Sequence, residues 1–150
     1  MSYLIDIADA VVETLNAAAL SQAFTAVRYY VPVKALPALD ALAVSVVPIT
    51  LERSLQTRGA TSLTTYGVDI GIQQRLPSGP MSPDEIAAAC DPLMDLAEEV
   101  AQFFYGKPLA GLGACYCTDV KNLPVFSYEH LDEKRVFTSL LTLSFKAGQP

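Results

Sequence analysis

Thiols, an imidazole and carboxylates are the side chains through which this chain could do chemistry. Cys115 and Cys117 stand two residues apart, a spacing that places both thiols on one face of an extended strand, and Cys90 and the lone His130 complete the soft ligands. No C-x-x-C arm accompanies them, so the spacing that tetrahedral zinc sites use is missing. A Cys–His nucleophile pair built on His130 has no further support in the sequence. The expected roles are buried small hydrophobes for the cysteines and a turn residue for His130. The carboxylates Asp6, Asp9, Glu13, Asp84, Glu85, Asp91, Asp95, Glu98 and Glu99 fall on the solvent sides or first turns of two predicted helices, which indicates solvated helix faces rather than an acid–base pair. Asp69 differs, because it interrupts a predicted strand on a Gly-rich face. There it could block edge pairing, meet a neighbouring Arg or stand exposed. Gly111-Leu112-Gly113 lacks the third glycine and the preceding strand of a dinucleotide loop, and the run from Gly106 to Gly111 is not followed by the Lys-Ser/Thr of a phosphate loop. No catalytic residue, metal site or cofactor is expected.

The elements that would position these residues are organised around Arg135 to Phe145 (RVFTSLLTLSF). At period two, Phe137, Ser139, Leu141, Leu143 and Phe145 share one face, while Val136, Thr138, Leu140, Thr142 and Ser144 share the other. One side of this strand is apolar and the other mostly small and hydroxylic, so helices should cover one face of the sheet and leave the second to water or a partner. A first helix is predicted from Tyr3 to Ala19, capped by Ser2, with Leu4, Ala8, Val11, Leu15 and Ala18 as its stripe. A strand follows over Phe24 to Val31, then a Pro-bearing loop over Pro32 to Asp40. Leu42 to Val47 is apolar enough for a strand buried on both sides. The pattern weakens from Pro48 to Thr64, where Arg58-Gly59 marks the turn of a protruding hairpin or mobile loop that carries Arg53. Thr65 to Gln74 alternates again. Ser82, Pro83 and Glu85 then give a capping box for a second helix reaching Tyr105, which Pro92 should kink or split. Cys115 to Lys121 reads as a strand, Phe126 to His130 as extended, and Asp132-Glu133-Lys134 as a turn. The fold class expected is α+β: a two-layer sandwich whose mostly antiparallel sheet, of about four to six strands, carries two main helices on one face.

The totals agree with a single domain over residues 1–150. Half of the chain is hydrophobic (51%), and a globular domain of this length buries about 70% of its unfolded surface without needing a metal or disulfide. The longest apolar run, Tyr3 to Leu20, is broken by three acids, so no transmembrane segment is expected. Acids and the lack of a basic stretch at the start argue against a leader, and three sparse cysteines fit a reduced cytoplasmic origin. With 16 acidic and 10 basic residues the net charge is −6, which argues against a dedicated nucleic-acid face. The charge is unevenly placed. Nine of the 16 acids fall in the two predicted helices, and all ten Lys and Arg fall outside them. Such a two-sided subunit suits head-to-tail contacts, although acidic helices over a sheet are also common in acidic proteins.

Taken in order, the opening YLIDIADAVVETLNA, the Tyr29-Tyr30-Val31-Pro32 strand end, VSVVP leading to the Arg58 loop, TYGVDIGIQ and the closing EHLDEKRVFTSLLTLSF resemble the tail terminator (tail-completion) proteins of long-tailed bacteriophages. The resemblance implies a non-enzymatic virion protein, assembled in the host bacterial cytoplasm, that closes into a ring, usually hexameric. Such a ring caps the tail tube and docks to the head-closure (stopper) or connector protein, with sheath protein as a further partner. DNA would pass through without specific binding: six copies at −6 each would carry about −36 and repel it. Arg53 and Arg58 are the expected contacts to tube or neighbour. Asp69, Thr138, Leu140 and Thr142 on the second sheet face are the expected ring contact. The alternatives are another head–tail connector or neck ring protein, or a small-molecule-binding α+β domain with a pocket assembled from Tyr66, Tyr116 and His130.

Overall fold

The computed structural model describes residues 2–30, 42–57, 61–77, 79–109, 111–112, 115–123 and 125–149. The elements run α1 (Tyr3–Ala17), β1 (Thr25–Arg28), β2 (Ala43–Thr57), β3 (Thr61–Arg75), α2 (Pro83–Phe104), β4 (Cys115–Asn122), α3 (Tyr128–Lys134) and β5 (Val136–Gln149). The strands form one sheet in the order β1-β2-β3-β5-β4, antiparallel except for the parallel β1–β2 pair. The protein is α+β, with both long helices on one face of a mostly antiparallel sheet.

That face is built from the alternation read in the sequence. Tyr66, Val68 and Ile70 of β3 stand opposite Phe145, Leu143 and Leu141 of β5, and all six are buried. Ile7, Val11 and Leu15 of α1 and Leu96, Val100 and Phe104 of α2 close over them in one apolar cluster. Burying each such side chain contributes on the order of 1.5–3 kcal/mol. Aromatic contacts tie the layers: the Tyr3 and Tyr66 rings lie 5.2 Å apart, and Phe104 meets Phe145 edge-on at 6.4 Å.

Both helix starts are capped as expected. The Ser2 hydroxyl accepts from the Ile5 amide, and Ser82 and Glu85 complete a capping box. α2 is not split at Pro92 but passes through it as one helix. Pro92 is solvent-exposed there, and its missing N–H leaves the Ala88 carbonyl without its helical partner. The short strand β1 is fastened to the helix layer by Asn16: its Oδ1 accepts from the Ala26 amide (2.7 Å) while its Nδ2 donates to the Ala26 carbonyl (3.1 Å).

Of the two alternatives for Pro48 to Thr64, the structure shows the hairpin where it is described: β2 continues to Thr57 and pairs with β3 back to Thr61, with a bulge between Pro48 and Thr50 that absorbs the proline's missing donor. Two other expectations are corrected. The extended stretch and turn expected over Phe126 to Lys134 are instead the helix α3, followed by Arg135 at φ 55°, a left-handed residue that ends the helix and turns the chain into β5. The first strand spans only Thr25–Arg28 of the expected Phe24 to Val31, and Val31 lies outside the described residues.

Candidate functional site

Three surfaces could carry function, and the first is the sheet face away from the helices. Register places Asp69 opposite Thr142, Gly71 opposite Leu140 and Gln73 opposite Thr138, so the four residues expected there do share one face. The Thr142 hydroxyl donates to Asp69 Oδ1 at 2.7 Å, and Gln73 Nε2 donates to Thr138 Oγ1 at 3.4 Å. Partial burial pushes the Asp69 carboxyl above its ordinary value, and the Thr142 hydrogen bond pulls the other way. Because β3 lies between β2 and β5, Asp69 does not guard an edge. The face is also less open than expected. Ala43, Ser45, Val47 and Gln73 are buried, whereas Asp69, Thr138, Leu140, Thr142 and Ser144 are half-exposed. The Ser45 hydroxyl and Gln73 Oε1 have no hydrogen-bond partner among the described residues.

The second surface is the β2–β3 limb beyond the helix layer. β1 accompanies β2 only from Ala43 to Val46, so from Val47 onward β2 has no strand on its outer side among the described residues. Ile49 and Leu51 are 42% and 54% exposed, and Glu52 and Arg53 are exposed beside them. Leu51 and Arg53 stand opposite Tyr66 and Thr64 and so share one face of the limb. Gly67 is required beneath it, because a Cβ there would collide with the Thr50 hydroxyl. Arg58 lies outside the described residues.

The third surface was not anticipated. α3 packs beside the first half of α2 and leaves a groove of about 590 Å³ floored by Leu76 and Phe137 and walled by Ile86, Met94, Phe126 and Leu131. Cys90, Asp91, Asp132 and Arg135 also line it, and Arg135 Nη1 is buried with no hydrogen-bond partner among the described residues. Without α3 the groove has only one wall. The signal for that helix, Tyr128 to Leu131 at helical spacing, is a single turn.

Comparison with known proteins adds no candidate. No family model and no curated protein matches this chain.

The cysteines take the role read for them. Cys115 and Cys117 are fully buried in the main core, and burial pushes both thiols up to about 11, which suppresses the thiolate at neutral pH. Among the described residues no three His, Cys, Asp or Glu side chains converge as a metal site would require. The pocket imagined from Tyr66, Tyr116 and His130 does not form: Tyr66 is buried beneath the helices, whereas Tyr116 points from the opposite face of the sheet. His130 lies within α3, not in a turn, and its side chain is outside the described set.

Proposed function

We propose that this chain is a structural ring subunit of the tail-terminator type, capping a phage tail tube and joining it to the head-closure or neck complex without enzymatic activity. The observation that carries the reading is the β2–β3 limb. It prolongs the sheet past its helix cover and presents exposed Ile49, Leu51 and Arg53 on a strand whose outer edge is unpaired among the described residues. Long exposed edges of this kind are a liability in a monomer and a template for contact with another chain. The uneven charge supports the same reading. α1 and α2 have no basic residue in their last turns and carry nine acids, while cations sit on strands, loops and the short α3. One ion pair bridges the two sides, Arg28 to Asp9 at 2.7 Å, and its exposure makes it weak.

The test is the double variant Arg53→Glu with Arg58→Glu. Reversing both charges should prevent ring formation or attachment to purified tail tube protein, read by light scattering and co-sedimentation. Normal rings and full-length infectious tails from that variant would overturn the assignment of these arginines. A strict monomer that ignores tube and neck proteins would overturn the ring reading itself.

A further inference from the structure

The limb and the groove lie at opposite ends of one subunit and have complementary chemistry. Leu51 is level with Phe145 through Tyr66, while Arg135 immediately precedes Val136. At about 3.3 Å per residue, the strand between them separates the two by on the order of 30 Å, so a limb cannot reach the groove of its own chain. The groove is apolar along its floor and walls, with carboxylates at its exposed rim from Asp91 and Asp132 and a buried, unpartnered guanidinium nitrogen from Arg135. The limb offers the counterpart: an exposed leucine, a cation two residues on from the same face, and an outer edge that no strand pairs among the described residues.

We propose that the limb of one copy docks into the α2–α3 groove of the next. Leu51 enters between Ile86, Met94 and Phe126, Arg53 reaches Asp91 and Asp132 at the rim, and a carbonyl of the limb's open edge accepts from Arg135 Nη1. The contact is heterologous, joining two different surfaces of identical chains, and it closes into a ring only if the rotation per subunit divides a full turn. This deepens the ring reading above and rests on it, because it names the neighbour that the limb meets.

Cys90 makes the docking testable, since it lines the groove while Cys115 and Cys117 are sealed in the core. In Leu51→Cys the introduced thiol should meet Cys90 of the adjacent copy. Mild oxidation, with an added disulfide as oxidant, should then give a ladder of linked chains on a non-reducing gel, lost when Cys90→Ser is combined with it. Leu51→Asp, or Met94→Glu on the facing wall should either variant fail to melt cooperatively, should raise the self-dissociation constant at least about tenfold by light scattering. Wild-type oligomers alongside an unlinked Leu51→Cys and an unweakened Leu51→Asp would sink the docking and leave the ring reading intact. A wild-type chain that stays monomeric to about 1 mM, alone and with tube protein, would sink both.

Discussion

Asp69 shows what a single position gains from its place in the sheet. In the sequence it is a lone acid among glycines, with three readings open. The register of β5 supplies a fourth by setting Thr142 directly opposite, so that the half-buried carboxylate has a hydroxyl donor. Burial, however, outweighs that donor and raises the carboxyl above its ordinary value of 3.8. A carboxyl whose folded value is raised favours the fold when protonated. Its contribution is full below 3.8 and is lost as pH rises through the folded value, so at neutral pH the charge is a net cost. Asp69→Asn keeps an acceptor for Thr142 and removes the charge. The variant should therefore have a higher urea midpoint than wild type near pH 7, with the gap closing as the pH falls toward 4. A lower midpoint at pH 7 would mean that the carboxylate is stabilised by more than Thr142.

Among the elements, β1 has the weakest hold on the sheet, with four residues in a parallel ladder at one edge. Asn16 compensates from α1 by presenting its amide to both backbone groups of Ala26, which is itself buried, and so stands in for a missing strand. Asn16→Ala leaves those two groups unpaired and should cost about 1–3 kcal/mol in urea unfolding, with the Ala26 amide losing its hydrogen-exchange protection first. An unchanged midpoint would mean that water takes over the Asn16 contacts. This clamp was not legible in the sequence, because Asn16 looks like any polar residue on the outer side of a helix. What was legible came from periodicity. The alternation of Phe137 to Phe145 and Tyr66 to Ile72 placed the large buried side chains on the correct face, and the Ser82 capping box fixed the start of α2. The parts missed have physical reasons. Pro48 disguised a strand that a bulge carries past it. The burial of Ser45 and Gln73 is tertiary, and no local pattern encodes what covers a face. The seven residues of α3 are too few for an intrinsic helix signal, and they form half of the groove.

For the whole molecule, the question is why a subunit that folds well would keep Arg135 where it is. A non-glycine residue at φ 55° pays roughly 1–2 kcal/mol, and this one also leaves a guanidinium nitrogen buried without an acceptor. Its carbonyl is engaged by the Leu76 amide at 2.7 Å, a backbone contact that any residue could supply. The left-handed conformation ends α3 and turns the chain into β5, and the docking proposed above would give the buried nitrogen the acceptor it lacks among the described residues. Arg135→Gly separates the two roles. Glycine adopts the left-handed conformation freely but loses more entropy on folding, so the net gain should be at most about 1 kcal/mol, or a rise in melting temperature of about 2–4 °C for a chain of this length. Self-association should weaken in the same variant, because the limb of the neighbouring copy loses its donor. Opposite movement of melting temperature and assembly is the expected signature of strain kept for a contact. A fall in melting temperature would place the arginine's value in packing its own subunit. A rise with unchanged association would remove Arg135 from the interface.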